Sequence, residues 1–432
     1  MNKNADIETM ELIDNLNHSS IKIRLSSLKQ LVKKIEAGEI DRPHTGDDVN
    51  NHIHTTYSFS PYSPTKAIWM AYVAGLSTAG IMDHDSISGA EEFIEAGKIV
   101  GIATTIGVEC RVSFLETPLA GKRINNPDQI SVAYMALHGI PHTQIYKVKG
   151  FFQQYTTYRN LRNRLMIGKI NNIFSKFDLS LSFEKDVIPV SKFQEGGSIT
   201  ERHILYALSL KLIEAFGKGE RLVGFLKEQL RLDINKKIED YLKDAENPYY
   251  AYDLLGLLKS GLVSDFYIDA SLECPDVKDV IAFSSSIGTI SAYAYLGDVG
   301  NSVTGDKKTQ KFEDDYIELL FNVIKESGFN AVTYMPSRNS RDQLGTIRKH
   351  CEQHGFLQIS GEDINSPRQS FICDAMKNGE FRNLYDAAWA LIGHEIAATA
   401  DLDNSMFSNA VINKYPDLTD RINIYKEIAK NG

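Results

Sequence analysis

Near the start of the chain, apolar residues recur at helical spacing: Ile21, Leu25, Leu28, Leu31, Val32 and Ile35 share one face, with lysines on the other. The pattern predicts helix over Ala5 to Glu39, ended by Gly38 and Pro43, with a role in packing or in a dimer contact. From Val49 the period changes. A short strand carries His52 and His54, then comes the turn Ser60-Pro61-Tyr62-Ser63-Pro64, with Ser63 placed as N-cap and Pro64 at the first helical position. Helix is predicted over Thr65 to Gly75, strand over Ser77 to Met82 ending in Asp83-His84-Asp85, helix over Ser88 to Val100, and strand over Ile102 to Glu109. Short parallel strands alternating with helices predict an α/β barrel or sheet, in which function gathers at the C-terminal strand ends.

The stretch from Phe151 to Tyr250 reads differently. Arg159 to Phe177 and Arg202 to Leu232 have helical period and many charges, and between them Ser198 is a candidate cap, with Glu201 three residues on. Strand signals resume after Gly261, over Ile268 to Leu272, Gly288 to Leu296, Ala331 to Tyr334 and Phe356 to Ser360, with a helix over Arg341 to His354. Asn383 to Ala400 and Pro416 to Ala429 are again helical. The expected division is a helical N-terminal extension (1–45), a first barrel part (46–150), a helical insertion (151–260), a second barrel part (261–375) and a helical C-terminal extension (376–432).

Composition narrows the class. A chain of 432 residues, 43% hydrophobic and 24% charged, accommodates a large barrel with additions. A net charge of −9 argues against non-specific binding to double-stranded nucleic acid or an anionic membrane. It leaves room for a small phosphorylated substrate held by a few arginines. No apolar run approaches the roughly 20 residues that span a bilayer, and Met1 to Met10 lacks an apolar signal core. Cys110, Cys274, Cys351 and Cys373 form no C-x-x-C pair, so a cytoplasmic location is expected.

The chemistry collects at the strand ends: His52, His54, Asp83, His84, Glu109 and Asp363. On a strand, residues i and i+2 point to one face, so His52 and His54 can aim at one point. Histidines with carboxylates suit Zn²⁺, Mn²⁺ or Fe²⁺. Any one of these residues alone could be a satisfied core group. Six of them at successive strand ends mark a site.

The order of motifs resembles the polymerase and histidinol phosphatase superfamily, the PHP domain. His52-Ile53-His54-Thr55-Thr56-Tyr57-Ser58 matches H-x-H-[ST]-x-x-S, and Met82-Asp83-His84 matches the T-D-H strand end with methionine for threonine. Gly107-Val108-Glu109 matches G-x-E, and Gly361-Glu362-Asp363-Ile364-Asn365 resembles G-S-D-x-H. The resemblance covers about Val49 to Gly139 and Ser284 to Arg368. It implies a distorted (β/α)7 barrel and a metal-dependent phosphoesterase, which hydrolyses a small phosphorylated metabolite, a nucleotide or a sugar phosphate, through metal-activated water. The segment from Gly197 to Ile204 resembles that of relatives with a helical insertion, which implies phosphate contacts from Arg202 and His203. Arg338 and Arg368, beside later motifs, are further candidates for phosphate, and His84 or Asp83 for proton transfer.

Against the family pattern, Ser60, Tyr134, Tyr295 and Asn365 stand where ligands are usual. The resemblance therefore implies one well-formed metal position, His52, His54, Glu109 and Asp363, and weakened ones drawing on His84, His138 or Asn365. The same losses carry an alternative, a catalytically reduced relative that binds a phosphorylated ligand or acts as a regulatory module.

Overall fold

A computed structural model of the chain describes residues 3–298 and 311–431. At its centre is a 7-stranded sheet in the order β1-β2-β3-β4-β5-β6-β7. The strands are β1 (Val49–Ile53), β2 (Thr78–His84), β3 (Ala103–Ser113), β4 (Val132–His138), β5 (Ile290–Ala294), β6 (Ala331–Tyr334) and β7 (Leu357–Ser360). All neighbours pair in parallel except those of β4, which runs antiparallel to both β3 and β5. The ring nearly closes where the chain beyond β7 meets β1. There the Ile364 N–H donates to the His52 carbonyl at 3.1 Å and the His54 N–H to the Ile364 carbonyl at 3.0 Å.

Before the barrel come α1 (Lys3–Asp14) and α2 (Ile21–Glu36), and its first helices are α3 (Pro64–Ala74) and α4 (Ala90–Val100). The predicted cap holds, since the Lys66 N–H donates to Ser63 Oγ at 3.0 Å ahead of Pro64. The central block contains α5 (Ile145–Phe174), α6 (Glu201–Phe216), α7 (Glu220–Glu228), α8 (Lys236–Lys243) and α9 (Tyr250–Phe266). The remaining helices are α10 (Val277–Ser286), α11 (Ile317–Ser327), α12 (Arg341–His354), α13 (Arg382–Ala400), α14 (Asn409–Lys414) and α15 (Leu418–Asn431). No helix among the described residues is long and apolar enough to cross a membrane.

The face on which each strand residue packs follows the period-two alternation. Ile106, Val108, Cys110 and Val112 of β3 face the surrounding helices in the main core, while Gly107 and Glu109 turn to the other face. On that inner face Ala136, Ile290, Ala292, Ala331, Leu357 and Ile359 pack with Ala387, Ala390 and Leu391 of α13. A separate core joins α6, α7 and α9 to the second half of α5, whose first half belongs to the main core through Ile145, Val148 and Phe152. With 30 residues, α5 is about 45 Å long and spans both cores.

The structure departs from the sequence reading in three places outside the site. The first helical stretch is two helices, interrupted at Asn15–Asn17, because Asn17 and Leu16 there bond the barrel loop: Asn17 Nδ2 donates to the Pro61 carbonyl and Ser63 Oγ to the Leu16 carbonyl. Ile268 to Leu272 forms no strand; its backbone is satisfied by side chains, with Gln129 bonding Ala270 in both directions and Arg162 donating to the Ile268 carbonyl. The cap of α6 is Thr200 rather than Ser198, with His203 closing the capping box that was expected of Glu201.

One ion pair ties α2 to the barrel. Arg24 Nε donates to Glu92 Oε1 at 2.7 Å and Nη2 to Oε2 at 2.5 Å, and Thr65 adds its N–H and hydroxyl to Oε1. Both charged side chains are 2% exposed. Arg24→Met leaves the Glu92 carboxylate buried without its counter-charge, so unfolding in urea is expected to show a loss of about 3–5 kcal/mol.

Candidate metal centre

Four segments deliver the site. His52 lies on β1 and His54 just beyond it on the same side, with ring centroids 5.0 Å apart. In the parallel register of β2 and β3, His84 stands directly beside Glu109. Asp363 arrives from the loop after β7. That loop must press against β1, and Gly361 allows it: a Cβ there would lie 2.6 Å from His52 Cβ and 2.7 Å from His52 N.

The ligand atoms converge. Glu109 Oε2 is 3.6 Å from His52 Nε2, 3.8 Å from His54 Nε2 and 3.1 Å from His84 Nδ1, while Asp363 Oδ1 is 3.1 Å from His54 Nε2. Ligands at 2.0–2.2 Å from one tetrahedral ion stand about 3.4 Å from one another. The separations observed bracket that value, so the donor set fits a divalent ion. Two overlapping groups meet the requirement, His52 with His54 and Asp363, and His54 with His84 and Glu109.

The donors are electrostatically prepared. Burial pushes the Glu109 carboxyl up, but His84 and His52 beside it outweigh that and bring it down to about 2. Burial likewise opposes ionisation of Asp363, and the contact with His54 holds it well below the usual carboxylate range. His84 is pushed down to about 3, chiefly by burial.

Behind the ligands sits an orienting layer. Asp83 Oδ1 accepts from the Thr55 N–H at 2.7 Å and from Ser58 Oγ at 2.6 Å, and Oδ2 accepts from Thr55 Oγ1 at 2.6 Å. The Ser58 proton is thus spent on Asp83, which leaves its oxygen to accept from His54 Nδ1 at 3.3 Å. A proton on Nδ1 leaves the Nε2 lone pair for an ion. Asn365 Nδ2 donates to Asp363 Oδ1 at 2.6 Å.

Several sequence expectations change accordingly. Asp83 anchors Thr55 and Ser58, and burial raises its pKa above the ordinary aspartate value. His84 faces the centre in the group with His54 and Glu109, and with its pKa pushed down to about 3 by burial it is neutral at physiological pH and so able to donate to an ion. Asn365 holds a ligand instead of acting as one. His138 is in neither donor group: on antiparallel β4 it pairs with Gly107, deeper in the barrel than Glu109, though close enough for its charge to interact with His52 and Glu109, while Tyr134 takes the place at the mouth, its ring 5.9 Å from that of His84. The Tyr295 hydroxyl is turned to Asp314 Oδ1. Ser60 lines a neighbouring cavity.

The arginines divide. Arg368 is engaged elsewhere: Nε and Nη2 pair with the two Asp253 oxygens at 2.8 Å each, and its guanidinium lies over Tyr241 at 3.9 Å. The charge of Arg202, half-buried at the start of α6, acts on Asp363. Arg338 lies in the turn after β6, where Ser337 bonds Glu362 at 2.6 Å, so that turn abuts the Asp363 segment. His203 accepts from the Thr200 N–H at 3.1 Å through Nδ1, and burial pushes it down to about 3.

The model of the PHP domain matches residues 50–329. The chain belongs to the PHP domain family.

Among solved structures, a protein of Bifidobacterium adolescentis provisionally assigned as a metal-dependent phosphoesterase has this fold, with a TM-score of 0.50 at 18% identity over 79% of this chain and 98% of that one. An amidohydrolase of Chromobacterium violaceum matches with a TM-score of 0.47 at 16% identity over 75% of this chain and 89% of that one. A stretch of 58 residues is 41% identical to a 5'-3' exoribonuclease of Haemophilus influenzae; it is 13% of this chain, which thus spans 21% of the curated relative it matches.

This PHP barrel also holds a buried ionic cluster that sequence reading missed. Arg111 of β3 reaches Glu201 Oε1 at 3.2 Å and Glu273 Oε1 at 2.9 Å; Arg162 of α5 reaches the same Glu273 oxygen at 2.6 Å and also pairs with Glu201. One helical turn before Arg162, Arg159 pairs with Asp85. In the sequence this stretch shows only helical period and many charges, and the i, i+3 spacing of Arg159 and Arg162 is the one local signal of the cluster.

Two outcomes follow for metal binding. Ser58→Ala removes the acceptor for His54 Nδ1 and is expected to weaken divalent metal binding about 10–100-fold by titration calorimetry, with folding retained. Burial lowers the proton affinity of His52, but Glu109 raises it more, so its pKa lies above the ordinary histidine value. Protons compete with the ion there, so metal affinity is full above that pKa and falls as the pH drops through it.

Proposed function

We propose that this PHP protein hydrolyses a small organic phosphate, with a nucleotide favoured over a sugar phosphate, using divalent metal (Zn²⁺, Mn²⁺ or Fe²⁺) held by the overlapping groups His52–His54–Asp363 and His54–His84–Glu109. The observation that carries the reading is the convergence of these donors in two groups of three that share His54. When bound, the ion supplies Lewis-acid polarisation of the phosphoryl group and a more acidic water.

The protein's own residues supply the rest. Glu109 and Asp363 stay ionised and hold the negative side of the centre. The Arg202 guanidinium, close enough to act on Asp363, faces the same region and suits a phosphoryl oxygen. Beside it, a cavity of about 190 Å³ is lined by Thr56, Phe59, Ser60, His203, Tyr206 and Tyr252. Its three aromatic rings lie 5.1 to 6.0 Å apart. Flat aromatic walls suit a nucleobase better than a sugar. With Nδ1 accepting from Thr200, His203 keeps its proton on Nε2 as a donor. The short likeness to an exoribonuclease agrees with nucleotide chemistry.

The test is a phosphoester panel with the purified protein under added Mn²⁺, Zn²⁺ or Fe²⁺. Turnover of nucleotides is expected to exceed that of sugar phosphates, and His54→Ala and Asp363→Ala are expected to abolish it while remaining folded. Arg202→Ala is expected to lower kcat/KM about 10–100-fold, the worth of a charged hydrogen bond. No turnover with any metal would instead favour a reduced relative that only binds its phosphorylated ligand.

A further inference from the structure

The loop that follows His84 is held from outside the barrel. Asp85 has φ 48, a left-handed conformation uncommon for a residue with a side chain. Its N–H donates to the Glu109 carbonyl at 2.9 Å, which continues the β2–β3 ladder past His84. Its carboxylate meets Arg159 Nη2 of α5 at 2.5 Å, and both side chains are 3% exposed. Next along the loop, Ser86 Oγ donates to the Gly196 carbonyl at 2.8 Å, in the segment leading to α6. The backbone on the C-terminal side of His84 is therefore fixed by two contacts from the helical block.

Arg159 is itself firmly placed. Arg162, one turn on, is locked to Glu273 and Glu201, so the register of α5 against the barrel is set independently of Asp85. Arg159 is almost fully buried and paired, so it presents nothing to a substrate. Its reach to the centre runs through one neighbour: Asp85 adjoins His84, whose Nδ1 stands 3.1 Å from Glu109 Oε2.

We infer that Arg159 is a positioning residue for His84: through Asp85, helix α5 sets the third corner of the His54–His84–Glu109 triad. This rests on the metal reading of the site proposed above. In this view the helical block does more than cover the mouth of the barrel. It adds a second hold on His84, which the β2–β3 register already sets beside Glu109.

The test is a double-mutant cycle on Mn²⁺ and Zn²⁺ binding to the full chain, read by titration calorimetry, with circular dichroism to verify folding. Arg159→Met is expected to weaken binding about 10–100-fold, the usual effect of removing an outer partner of a ligand. His84→Ala is expected to weaken it at least as much, and the double variant no further than His84→Ala alone, because both losses act through one side chain. Arg159→Lys, which keeps the charge, is expected to recover part of the affinity. Asp85→Asn is the second variant, expected to behave as Arg159→Met, and it decides the matter where Arg159→Met does not fold. Binding within about twofold of the parent in the folded variant, no effect of His84→Ala, or losses that multiply in the double variant would overturn the inference while the metal reading stands. A parent chain that binds neither ion overturns both.

Discussion

The centre depends on one close approach of backbone to backbone. Residues after β7 lie against β1, with hydrogen bonds from His54 to Ile364 and from Ile364 to His52. Asn51 Nδ2 reinforces them by donating to the Ser360 carbonyl at 2.8 Å. The contact closes the sheet and in the same movement carries Asp363 to the two histidines. Any side chain at Gly361 would collide with His52. Ring closure and assembly of the ligands are therefore one event: a barrel open at this seam would still bring His84 beside Glu109, through the β2–β3 register, but would lack Asp363.

The second constraint is charge. Buried ionised groups are costly unless each is paired and hydrogen-bonded. Around the mouth the fold meets this with Arg111 and Arg162 shared between Glu201 and Glu273, and Arg159 beside Asp85 as a close charge contact. These pairs also fix geometry. Glu201 is held by the arginines of β3 and α5, and its neighbour Arg202 begins the same helix, so the network that neutralises buried charge also places the guanidinium proposed for phosphate. Leaving Glu201 without those arginines would disturb the entry of α6 as well as the electrostatics.

How much of this could be read from sequence follows from the range of the interactions. His52, His54, Glu109 and Asp363 were legible because each follows or closes an apolar run in the sequence, although β3 continues past Glu109 to Ser113. The Ser63 cap was legible because capping is local. The direction of β4 was not, since Val132 to His138 reads alike in either sense; only its pairing with Gly107 to Ser113 puts Tyr134 at the mouth and His138 deeper in the barrel. Arg368 sits beside a motif in sequence, yet its partner Asp253 lies 115 residues away. Asp83 looked like a free acid because the hydroxyls that occupy it, on Thr55 and Ser58, belong to another strand end. In each case the missing information was a partner distant along the chain.

The tyrosines at usual ligand positions have a definite electrostatic consequence. Burial holds the phenols of both Tyr134 and Tyr295 well above the ordinary tyrosine range, so each is neutral at physiological pH. Neither contributes charge to an ion. Among the converging donors, the negative charge comes from Glu109 and Asp363 alone, which together balance one divalent cation. Placement of those two carboxylates then carries more weight than in a site richer in anionic ligands. Each is held by its own device, Glu109 within the β2–β3–β4 ladder and Asp363 by the amide of Asn365. The residue that replaced a usual ligand at the end of the last motif thus serves the carboxylate on which the remaining charge depends.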